Sequence, residues 1–178
     1  MDAKRTIKYF FSLAAMVVVA FLLQTSIFSR LKLAGVAPNF MIILTTSWGL
    51  LRGRKQGMAL GAVCGLILDF FSGYYLGIFA LIFLYIGYLS GVFRKNFFGD
   101  DLKLPLLLIG INDILYGIVI YCLYFLLRQK YAFGFYFMNI IMPEAVYTIL
   151  VSLFAYYLIH KVNRWLEKDE KRSNHRLV

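Results

Sequence analysis

GMALGAVCGLILDFFSGYYLG, residues Gly57 to Gly77, decides how this chain folds. Glycines stand at 57, 61 and 65, Asp69 takes the next place, and glycines return at 73 and 77. A four-residue step turns a helix by only about 40° beyond a full turn, so Gly57, Gly61, Gly65 and Asp69 share one slowly winding stripe. Between them stand Met58, Leu60, Val63, Leu66, Ile67, Leu68, Phe70 and Phe71, apolar all round. A helix with no polar face lies in lipid or in a large core. Composition chooses lipid: 61% of the 178 residues are hydrophobic and only 16% charged, against roughly half and a quarter in soluble domains.

Outward from this helix, the chain reads as about six spans. Met1 to Lys8 is a basic start, and Tyr9 to Phe28 is an apolar run. It is longer than the core of a secretory signal and lacks a small-x-small cleavage site, which predicts an uncleaved span. Pro38 and Asn39 open a second run, Phe40 to Leu51, ended by Arg52, Gly53, Arg54 and Lys55. Counted from Pro38, it covers about 21 Å of a roughly 30 Å hydrocarbon core, so it starts earlier, near Leu33, or spans only in part. The glycine helix follows from Gln56 to about Phe71, then a tight turn over Ser72 to Gly77. Further spans are predicted at Ile78 to Phe93, at Leu104 to Leu127, and from about Asn139 to His160, with a loop over Arg128 to Tyr136. The expected organisation is a transmembrane domain over 1–160 and a basic cytoplasmic tail over 161–178, helical for a turn or two and then disordered.

Lys and Arg near span ends set orientation. With six spans, fifteen of the nineteen fall on one side, among them Arg52, Arg54, Lys55, Arg94 and Lys95. Both termini are therefore expected in the cytoplasm. The net charge of +10 reads as topology plus attraction to anionic lipid, worth about 1 kcal/mol per basic residue. No basic stripe interleaved with exposed aromatics argues for nucleic acid.

Polar residues inside spans are functional candidates by default. Asp69 lies about 21 Å along its helix from Lys55; it either caps the helix end or serves binding. Asn112 and Asp113 lie roughly 12 to 14 Å into the fifth span, where a neutral Asp113 hydrogen-bonded to another helix is the favoured reading over an ion or proton relay. Glu144, after Pro143, suits ordinary helix-start chemistry unless it faces Asp69 across an outer pocket. Asn39, Asp69, Asn112, Asp113 and Glu144 form the candidate polar set. The stripe of Gly57, Gly61, Gly65, Asp69, Gly73 and Gly77 is the candidate packing surface, within the chain or toward a partner. Cys64 and Cys122 read as packed thiols, and His160 as a residue of the inner boundary. Tyr74, Tyr75, Tyr131, Phe133, Phe135, Tyr136 and Phe137 suit an interfacial belt. Ser90 has no G-x-S-x-G elbow, and no P-loop, HExxH or metal cluster appears. No enzyme, metal or cofactor is expected.

Pro38-Asn39, the junction with Arg52, Gly53, Lys55 and Gly57, the G-x-x-x-G-L-I-L-D of Gly61 to Asp69, and Leu76-Gly77 together resemble the bacterial rod shape-determining MreD family. The family often carries Asp where this chain has Asn39. The resemblance implies an all-α integral membrane protein similar to the substrate-binding components of ECF-type transporters. It also implies a non-catalytic scaffold of the cell-wall elongation machinery in the bacterial cytoplasmic membrane. Its partners would be MreC, MreB, RodA and a class B penicillin-binding protein, with the glycine stripe forming a groove for a helix of MreC. The rival is a small-molecule-binding component of an ECF-type uptake transporter, with Asp69 and Glu144 as anchors.

Overall fold

The computed structural model describes residues 3–33, 35–72, 77–96, 102–124 and 133–174. Seven helices occupy them. α1 (Ala3–Leu22) passes into a π-helical turn (Leu23–Ile27). α2 (Phe40–Arg52), α3 (Arg54–Ser72) and α4 (Ile78–Val92) follow, α4 ending in a 3₁₀ turn (Phe93–Asn96). α5 is Lys103–Tyr124, α6 is the single turn Phe133–Tyr136, and a π turn (Phe137–Ile141) leads into α7 (Met142–Asn174). Gly73, Tyr74, Tyr75, Tyr131, His175 and parts of the expected turn and loops lie outside the described residues.

α2 is the axis of the bundle. Every residue from Phe40 to Leu51 is buried, and α1, α3, α4, α5 and α7 all pack on it. Its 13 residues make it a short helix of about 20 Å, and burial inside protein removes any need to match the bilayer thickness. Asn39 starts it, its side-chain oxygen accepting from the Ile42 amide at 3.2 Å, the usual work of an N-cap. The π turn after α1 adds a second partner there: Gln24 Oε1 accepts from the Met41 amide at 3.2 Å. At the other end Gly53, at φ +92°, turns the chain straight into α3. Its amide donates to Gly49 O at 2.8 Å, and that left-handed backbone suits glycine alone.

Cross-helix contacts fix the up-and-down order. Tyr9 near the start of α1 donates to Gln56 at the start of α3, while the Phe21 ring packs at a tilt against Phe71 at the other end. Phe28 touches both Phe40 and Tyr147, the starts of α2 and α7. The basic residues therefore gather at one end: Arg94 donates to Arg52 O at 3.0 Å, and Arg54 lies 5.8 Å from the Tyr88 ring. Outward, the bundle is apolar, with Phe11 77% and Phe154 71% exposed among many others. A surface of that kind needs lipid around it. Among the described residues, α1, α4, α5 and the α6–α7 segment are long and apolar enough to cross a membrane.

The glycine stripe is filled from within the chain. α3 and α4 share the most extensive interface of the bundle. A Cβ on Gly57 would stand 2.5 Å from Gly87 O, and on Gly61 or Gly65 it would meet the backbone of Phe83 or of Phe79 and Ala80. α4 answers with its own Gly87 and Gly91, which meet Gly57 and Arg54. Gly77 works differently. At φ +102° and with open space around it, it starts α4 in a left-handed conformation.

Three expectations change. α7 continues as helix through the hydrophilic segment to Asn174, further than the turn or two expected. Phe133–Tyr136 and the π turn after it are already helical ahead of Asn139, inside what hydropathy marked as loop. Cys122 faces outward and only Cys64 is packed; an apolar thiol tolerates lipid as well as protein.

Gly61→Leu or Gly65→Leu is expected to cost at least the upper end of the roughly 1–3 kcal/mol typical of overpacking, because the obstacle is backbone. Gly134→Ala, in open space, is expected to be neutral. Thermal unfolding followed by size-exclusion chromatography in detergent checks both; normal stability of the two leucine variants contradicts the seam.

Candidate functional site

Polar side chains inside the bundle sit along α2 and its neighbours. Near the middle, Asn112 on α5 donates both amide hydrogens, to Thr46 Oγ1 at 3.0 Å and to Ser90 Oγ at 2.9 Å. Ser90 in turn donates to Ile86 O at 2.7 Å. All three side chains are buried, so one amide ties α5 to α2 and α4. The Ser90 hydroxyl is thereby occupied in structure.

Toward the other end, the Asn39 amide donates to Thr148 Oγ1 on α7 at 3.2 Å. Asp113 is turned about 100° from Asn112 and so faces α7 and not α4. There it meets Thr148 and Glu144, which share one face at four-residue spacing. Asp113 is 3% exposed, and neither carboxylate oxygen makes a well-formed hydrogen bond. Thr148 on α7 is the hydroxyl it is turned toward, and a second acid is among its closest company.

Asp69 is separate from this group. Its carboxylate accepts the Phe79 and Ala80 amides, each at 3.0 Å, and so caps the first turn of α4 from the end of α3. A buried acid aimed at the positive end of a helix is well placed. Of the two acids set against each other by sequence, Asp69 holds the start of α4 and Glu144 lies beside Asp113. Pairings of this kind depend on which helices are neighbours, which hydropathy does not reveal.

The basic end is built as closely. Arg52 lies 5.7 Å from both the Tyr9 and the Trp48 rings and donates through Nε to Asn163 Oδ1 at 2.5 Å. Asn163 Nδ2 donates to Glu167 at 3.0 Å. Lys55 and Lys95, also singled out by sequence, are exposed here. Sequence reasoning passed over Thr46, Asn163 and Glu167, and the glycines Gly49, Gly87 and Gly91. The four-residue spacing of Gly87 and Gly91 was the available signal.

On the lipid side, α1 and α7 stand apart on either flank of α2 and leave a groove of about 490 Å³. Ala15, Met16 and Val19 form one wall, Phe40 and Ile43 the floor, and Phe154 with Leu158 the other wall. Among the described residues, no three His, Cys, Asp or Glu side chains are grouped to hold a metal.

Fold and site together define a multi-pass helical membrane protein whose described polar side chains mostly join its own helices and whose groove opens to lipid. A family model described as rod shape-determining protein MreD matches residues 4–162. The chain belongs to that family, and with it to the membrane proteins that determine rod shape. Neither the curated proteins nor the solved structures give a match.

Asn112→Leu is expected to lower stability by about 1–2 kcal/mol, since it strands Thr46 and Ser90 in an apolar interior. Adding Thr46→Val and Ser90→Ala should recover part of that loss; a triple variant less stable than the single one contradicts the network. Asp113→Asn, which keeps shape and size, is expected to fold; its complete failure to yield folded protein in detergent would show that the carboxyl itself is required.

Proposed function

We propose that the chain is a non-catalytic membrane scaffold of the cell-wall elongation machinery. It lies in the bacterial cytoplasmic membrane with both termini inside, binds a transmembrane helix of MreC, and links it to RodA, a class B penicillin-binding protein and MreB. One observation carries this reading: the open groove between α1 and α7. In lipid, helices associate by close packing and not by escape from water, so a preformed concave apolar face is what a partner helix needs. Its α1 wall spans Ser12 to Leu23 and its α7 wall Val151 to Val162, each about 17 Å long, or three turns of a docked helix. The glycine stripe gives no such opening, because α4 occupies it.

The uptake-transporter alternative takes Asp69 and Glu144 as its anchors. Asp69 is 2% exposed, and each of its carboxylate oxygens already accepts an α4 amide. The basic residues Arg52, Arg54, Lys55, Arg94 and Lys95, at one end of the bundle, suit the inner face by the positive-inside rule.

Ala15→Trp and Ala155→Trp fill the groove from opposite walls. Both variants are expected to stay monodisperse, to lose co-purification with MreC, and to fail to restore rod shape to cells lacking the protein. Full MreC recovery with both variants rejects the groove as the docking face. Co-purification of a vitamin-sized molecule and no MreC would instead favour the transporter reading.

A further inference from the structure

The basic end holds a second cavity, distinct from the lipid-facing groove. It measures about 280 Å³ and is lined by Leu50, Leu51, Arg94, His160, Asn163, Arg164 and Glu167. At roughly 30 Å³ per water, it admits a tetrahedral oxyanion with its nearest waters. We propose that this cavity binds a phosphate-bearing anionic group, either the headgroup of an anionic phospholipid or free phosphate.

Three features support the assignment. First, the lining is amphipathic in the sense a headgroup requires: Leu50 and Leu51, at the end of buried α2, form an apolar side, and two guanidinium groups complete the lining. Second, both guanidinium groups come from fixed elements. Arg94 is held by its bond to Arg52 O, and Arg164 stands one turn after His160 on α7, whose ring stacks on Tyr156. Planar forks of this kind match phosphate oxygens. Third, the acid in the lining, Glu167, is drawn onto the Asn163 amide, and Asn163 is itself bound by Arg52. A third guanidinium, that of Arg52, therefore stands behind the wall on the side of the acid. The apolar groove is walled by other α7 residues, Phe154 and Leu158 among them, so occupancy here does not depend on MreC docking there.

The test is native mass spectrometry on the full chain in detergent, with phosphatidylglycerol, diacylglycerol and inorganic phosphate as probes. Phosphatidylglycerol is expected to be retained over diacylglycerol. Arg164→Gln and Arg94→Gln should each lower retention roughly fivefold, as expected for about 1 kcal/mol per basic residue. Lys95→Gln, at the same end but outside the cavity, should leave retention unchanged. Arg164 is exposed on its helix, so its variant decides the matter if Arg94→Gln fails to fold. Competition by millimolar phosphate assigns the site to the free anion; retention unaffected by phosphate assigns it to lipid. Equal retention of the two lipids together with no phosphate adduct, or retention unaltered by Arg164→Gln, overturns the proposal.

Discussion

The contact of two helix backbones along Gly57, Gly61 and Gly65 is the constraint from which the remaining architecture follows. With no side chains in the seam, α3 and α4 close to a distance at which a single methyl group would strike a carbonyl. In hydrocarbon, where apolar side chains gain nothing by leaving the solvent, that proximity and its dispersion attraction replace the hydrophobic effect. Asp69 locks the far end by holding the amides that begin α4. The paired helices then form one wall against which α2 is laid.

A helix surrounded by protein on every side can carry groups that lipid would reject. Thr45, Thr46, Ser47 and Trp48 are all fully buried on α2, and Asn112 and Asn163 reach it from α5 and α7. Each such bond is modest in a membrane. Their arrangement along one axis matters more, because it sets which neighbour stands at which height and so gives an otherwise uniform apolar bundle a register.

Much of this was legible in residue order alone. The order of the helices, the stripe, the Asn39 start of α2 and the crowding of positive charge at one end each follow from patterns within single segments. What escaped was relational. Hydropathy reports that Phe40 to Leu51 avoids water and cannot say whether lipid or protein surrounds it, since both are apolar; hence the short second run looked like an incomplete span and is in fact the axis. Glu144 was set against Asp69 because both lie near the same end, whereas the rotation of α5 presents Asp113 to it first. The tail was judged by its charge, yet α7 carries its helical backbone through it without interruption.

That last continuity has a mechanical side. Thirty-three residues give a rod of about 50 Å, roughly 20 Å more than the hydrocarbon layer can hold. The surplus stands clear of the hydrocarbon by more than the roughly 8 to 10 Å over which salt screens a charge. Tilting of the bundle within the bilayer is therefore magnified at the tip of this mast, as a lever turns a small rotation at its pivot into a sweep at its end.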